Sequence, residues 1–90
     1  LLLNKETRLT NNSVFDGYPT WFPDNDTILF SSEENGVFKL FTIKTDGSAL
    51  KELSSGENAE VRANVSKDGR KIVTNKYVDG RLNLYVVKLK

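Results

Sequence analysis

The sequence of 90 residues has no cysteine, no histidine and no methionine, and only two prolines. Without thiolate or imidazole it cannot assemble a Cys/His zinc site, a Cys-protease centre or a Ser-His-Asp triad from its own residues. An excess of one charge is also missing. Thirteen Lys and Arg face twelve Asp and Glu, a net +1, so the uncompensated basic cluster that a nucleic acid or an anionic membrane surface requires is not there. No apolar run approaches the roughly 20 residues of a membrane helix. The opening Leu1-Leu2-Leu3 is also shorter than the apolar stretch of a secretory leader. These absences lead us to expect no enzyme, no cofactor, no metal ligand set, no nucleic-acid partner and no membrane insertion.

What is present is an internal repeat. A shift of 44 positions lays Leu9 on Leu53, Asp24 on Asp68, Ile28 on Ile72, Gly36 on Gly80, Leu40 on Leu84 and Lys44 on Lys88 without a gap. Conservative pairs fill the register, among them Thr10 with Ser54, Asp16 with Glu60, Leu29 with Val73, Asn35 with Asp79 and Phe41 with Tyr85. Turn residues and apolar residues keep one register, as expected of one supersecondary unit used twice. The first repeat spans about 8–51 and the second about 52–90, in a single region 1–90.

Each repeat reads as short strands separated by turn signals. The first strand is expected over Tyr18 to Phe22 and Arg62 to Ser66, the second over Thr27 to Ser32 and Lys71 to Lys76. The third covers Phe38 to Lys44 and Leu82 to Lys88. A more polar fourth strand is expected over Leu50 to Ser54, with Thr7 to Thr10 as its N-terminal counterpart. Asn35-Gly36 and Asp79-Gly80 are strong hairpin dipeptides, because Asn, Asp and Gly accept the positive φ of a tight turn. Ile28-Leu29-Phe30 is continuously apolar, as in a strand covered on both faces. The fold class expected is therefore all-β, in two four-stranded antiparallel blades.

Four-stranded units recurring every 40 to 45 residues are the mark of β-propeller blades. The stretch from Tyr18-Pro19-Thr20-Trp21-Phe22-Pro23-Asp24 through Ile28-Leu29-Phe30-Ser31-Ser32, with Asn35-Gly36, Leu40-Phe41 and Asp46-Gly47, resembles the PD40, or WD40-like, repeat of the TolB-type propellers. The second repeat keeps Ser66, Asp68 and Gly69 but has Ala63, Val65 and Lys67 where the pattern has proline, tryptophan and proline. The resemblance implies a segment of a six-bladed propeller. It further implies a non-enzymatic scaffold for a protein or peptide ligand and a periplasmic or extracytoplasmic location. Two other functions stay open beside it: the propeller portion of a prolyl-oligopeptidase-type peptidase, and a glycan-binding or glycan-hydrolysing propeller. Six blades would follow from a homotrimer of two-blade chains in which Thr7 to Thr10 completes a neighbour's last blade, or from a longer chain of which this is a piece. The length of two periods favours the first account; the lack of Met and the start at Leu1 favour the second.

Strand alternation places the loops Asn11 to Gly17, Glu33 to Gly36, Ser55 to Val61 and Tyr77 to Gly80 at one end of the blades. They carry Asp16, Glu33, Glu34, Glu57, Glu60 and Asp79 and no Lys or Arg, and this acidic rim is the candidate binding site for a basic peptide or a cation. Trp21, the one tryptophan, is expected to pack between blades. Asp24-Asn25-Asp26 lacks EF-hand spacing and suits a turn.

Overall fold

The computed structural model describes residues 6–11, 14–53 and 60–89; Glu57 lies outside them, and of Glu60 and Val61 only the backbone is described. These residues form seven strands and no helix, an all-β architecture. Strands β1 (Asp16–Trp21), β2 (Thr27–Glu34), β3 (Val37–Lys44) and β4 (Lys51–Glu52) make one antiparallel sheet in that order. Strands β5 (Glu60–Val65), β6 (Lys71–Val78) and β7 (Arg81–Lys88) make a second.

The repeat is visible in the backbone as well as in the residues. Glu34 opposite Val37 and Val78 opposite Arg81 close two-residue hairpin loops. The four loop residues Asn35, Gly36, Asp79 and Gly80 all have φ between 52° and 80°. That is the type I′ geometry, whose twist matches the flanking strands. At the opposite end, Phe22 N–H donates to the Thr27 carbonyl at 2.8 Å, and its repeat partner Ser66 donates to Lys71 at 2.9 Å. Thr45 to Asp26 (3.0 Å) and Leu89 to Arg70 (2.6 Å) form another such pair. A β-bulge recurs too, with positive φ at Tyr18 (53°) and at Arg62 (58°). For bulky side chains this is a costly conformation. The Arg62 guanidinium lies over the Tyr18 ring, 5.1 Å from its centroid, so the two bulge residues stack on one another.

The sheets pack front to back. Register puts Leu29, Ser31, Leu40 and Thr42 on one face of the first sheet, here called its leading face, and Ile28, Phe30, Phe41 and Ile43 on its trailing face. The leading face meets the second sheet chiefly through β5. Leu29, Leu40, Ala63 and Ile72 form the buried core there, with Phe22, Leu53, Val65 and Leu89 packed around them. Ile72 is the repeat partner of Ile28, a trailing-face residue, so the leading face of one unit covers the trailing face of the next. At the turn end, Pro23 touches Gly69, where an added Cβ would stand 3.2 Å from the proline ring.

Three expectations need correction. Trp21 does not pack between sheets but is 56% exposed. It sits opposite Ile28 on the trailing face of the first sheet, and no sheet formed by the described residues covers that face. Thr7 to Thr10 is not a strand: residues 6–11 have no regular structure, and Leu9 and Thr10 lie half-buried against the trailing face. The fourth strand shrinks to Lys51–Glu52, because the chain must first leave β3 through a turn with Gly47 at φ 86° and Ala49 at φ 56°. Leu53 still donates its N–H to the Leu40 carbonyl at 2.8 Å, and Ser54 lies outside the described residues.

Candidate functional site

The hairpin 35–36, the start of β1, the hairpin 79–80 and the start of β5 share one end of the two sheets, since Asp16 pairs with Ser32 and Glu60 with Lys76. Asp16, Glu33, Glu34 and Asp79 therefore do lie at the end where alternation put them. The backbone of Glu60 lies there as well. Asp79 belongs to the second hairpin, apart from the other three.

Around the first sheet the structure adds a groove that composition alone could not give. It has a volume of about 470 Å³, with Phe30, Phe41, Ile43 and Leu50 as apolar lining and Glu33 and Glu34 at its end. Phe30 and Phe41 stack with centroids 5.8 Å apart. Directly opposite pairing on neighbouring strands holds both rings in place. A smaller pocket of about 190 Å³ adjoins it, sharing Leu9, Thr10, Phe30 and Ile43, and Asp16 lines this one. The Oδ1 atom of Asp16 is buried without a hydrogen-bond partner among the described residues. A buried carboxylate oxygen lacking a donor is costly, and a donor entering from outside would relieve the cost. Among the described residues, no Lys or Arg lines either hollow.

The rim is less purely acidic than its loops suggest. Lys39 stands opposite Ser32, and its ammonium reaches Glu34 at 3.5 Å and Glu52 at 3.8 Å. Arg81 follows the Asp79-Gly80 turn directly, and Arg62 and Lys76 lie in the adjoining strands. These cations come from strand residues, which reading the loops alone passed over; strand pairing brings them to the same end.

At the other end the carboxylates are structural. Asp24 accepts the N–H groups of Asp26 and Thr27 at 2.8 Å each and the Thr27 hydroxyl at 2.7 Å. The backbone bond from Asp26 and the side-chain bond from Thr27 hold its pKa down to about 2. Asp46 is lowered by the hydroxyl and N–H of Ser48, and Asp68 by the Ser66 hydroxyl and the Arg70 N–H. Lys44 clamps this end, at 3.7 Å from Asp24, 3.8 Å from Asp26 and 3.0 Å from the Thr27 hydroxyl. Each Asp is thereby committed to its own turn. Among the described residues, no group of three or more carboxylates is placed to hold a metal ion. No protein-family model matches the chain, and no curated protein matches it.

Proposed function

We propose that this chain is a two-blade segment of a TolB-like propeller and acts as a non-enzymatic scaffold that binds a basic peptide at the acidic end of its first sheet. The observation that carries the reading is the buried, unpartnered Oδ1 of Asp16 beside a groove ended by Glu33 and Glu34. An ammonium or guanidinium entering there would supply the missing donor, while the apolar lining accommodates an aliphatic stem. Support for the propeller part comes from the 44-residue unit and the front-to-back packing of successive sheets. By the same resemblance, such a scaffold would work in a periplasmic or extracytoplasmic compartment.

The test is titration of the protein with a lysine- and arginine-rich peptide at low ionic strength. Asp16→Asn, Glu33→Gln and Glu34→Gln combined should weaken binding at least about tenfold, since each charge-assisted hydrogen bond contributes roughly 1.5–3 kcal/mol. Neutralising Asp46 and Asp68 instead, at the opposite end, should leave binding unchanged. Equal affinity in the triple variant and the unaltered protein would refute the reading.

A further inference from the structure

The stacked bulge residues Tyr18 and Arg62 belong to a larger cluster at the seam between the two sheets. The Tyr18 ring stands edge-on to Phe15 at 6.0 Å and to Phe38 at 6.4 Å, and Phe15 and Phe38 meet edge-on at 5.7 Å. Strand register sets Phe38 on the leading face, opposite Glu33. Phe15 is held in the cluster twice. Its carbonyl accepts the Glu33 N–H at 3.0 Å, and its ring lies over Gly17, where an added Cβ would stand 2.6 Å from a ring carbon. Gly17 has no positive φ to account for it, so its missing side chain serves to seat this ring.

The cluster is strained and yet open. Tyr18 and Arg62 both adopt a positive φ that bulky residues resist, and a guanidinium stacked on an exposed ring returns less than two such residues cost. Burial does not make up the difference, because Phe15 is 50% and Tyr18 39% exposed. What the two bulges produce is an aimed cation. An exposed arginine ordinarily samples many rotamers, and ordering it opposes binding; here one face of the guanidinium already rests on Tyr18, so its N–H edge is set in advance. Among the described residues no carboxylate pairs with that edge, the ion pairs being those of Lys39 and Lys44.

We propose that Arg62, on its Tyr18 platform, binds a carboxylate carried on an apolar body that lies against Phe15 and Phe38. A planar carboxylate accepts two parallel N–H bonds from the guanidinium edge, and the exposed rings cover an aliphatic or aromatic neighbour. A phosphate also suits the fork. It is disfavoured here because Glu33 stands opposite Phe38 and Asp79 lies in the hairpin at the same end, so a dianion meets more repulsion than a monoanion. The site is separate from the groove, which lies against Phe30, Phe41 and Ile43 of the trailing face. The basic-peptide reading does not enter this argument.

The test is titration of the unaltered chain, followed by NMR of its aromatic and arginine side chains, with three short apolar peptides. One ends in a free phenylalanine carboxylate, the second is the same peptide amidated, and the third is amidated but carries glutamate beside the phenylalanine. The free carboxylate should shift Tyr18, Phe38 and the Arg62 Nε proton, and amidation should weaken binding at least about tenfold, because it removes a charge-assisted pair of hydrogen bonds. Binding by either carboxylate supports the proposal, and the tighter of the two names its source, chain terminus or side chain. Arg62→Asn removes the guanidinium and places at the bulge a residue that accepts positive φ. It should melt no lower than the unaltered chain and bind the carboxylate at least about tenfold more weakly. Arg62→Lys keeps the charge without the planar fork and should also weaken binding, which a general attraction of anions would not produce. The proposal is overturned if free and amidated peptides bind alike, if either variant binds the carboxylate as the unaltered chain does, or if no resonance of Tyr18, Phe38 or Arg62 moves.

Discussion

Leu40 and Leu84 hold the same position in the two units and differ only in what covers them, which makes a paired substitution informative. Leu40 is 2% exposed and Leu84 75%. Burying a leucine side chain completely is worth about 1.5–3 kcal/mol, and a cavity left behind raises the loss on truncation to about 2–5 kcal/mol. Leu40→Ala, which opens space against Leu29, Ala63 and Ile72, should therefore cost about 3 kcal/mol. Leu84→Ala removes methyl groups that already face water and should cost under about 0.5 kcal/mol in dilute solution. Urea unfolding followed by circular dichroism reads both. With a slope of about 1–3 kcal/mol per molar urea, Leu40→Ala should lower the midpoint by about 1–3 M and Leu84→Ala by a few tenths at most. Equal shifts for the two variants in dilute solution would refute the assignment of leading and trailing faces.

The acid limb of stability should depend on the turn carboxylates. Because the folded pKa of Asp24 is depressed to about 2, its contribution is complete above the ordinary carboxylate range near 4 and is lost as pH falls through about 2. Asp24→Asn keeps an accepting oxygen but no titration, so thermal melts from neutral pH downward should show a shallower acid decline; an unaltered decline would count against the turn assignment. For the glycines, Gly80→Ala meets open space at φ 77° and should cost about 1–2 kcal/mol from backbone conformation alone. Gly69→Ala, at φ 73° with Pro23 at 3.2 Å, should cost more. Melts that rank the two the other way would remove the inter-sheet turn contact from the account.

The elements that sequence reading located well are those whose cause is local. Asn35-Gly36 and Asp79-Gly80 determine their hairpins by backbone conformation, and the strands on either side follow from them, each extended by a residue or two. Ile28-Leu29-Phe30 was legible as a strand covered on both faces; Leu29 and Phe30 are buried, and Ile28 is half-buried. What depends on neighbours was not legible. Trp21 and its partner Val65 stand at the same place in the repeat, yet only Val65 has a sheet before it. The bulges at Tyr18 and Arg62 had no signal, since neither residue type favours positive φ. Asp16, Glu33 and Glu34 share one end of the first sheet, and the burial of Asp16 Oδ1 and the arrival of Lys39 there arise from strand register, which the loops do not show.

The order of pairing carries a consequence for how the chain folds. Every observed ladder joins strands that are consecutive in sequence, from β1-β2-β3-β4 to β5-β6-β7, so the entropy of closing each loop is small. The hairpins can therefore zip locally on the microsecond scale. Laying β5 across the first sheet is the step that brings sequence-distant residues together, and it is the slower one. Changes in the Asn35-Gly36 and Asp79-Gly80 turns should then slow refolding, while changes at Ala63 or Ile72 should act mainly by hastening escape from the folded state.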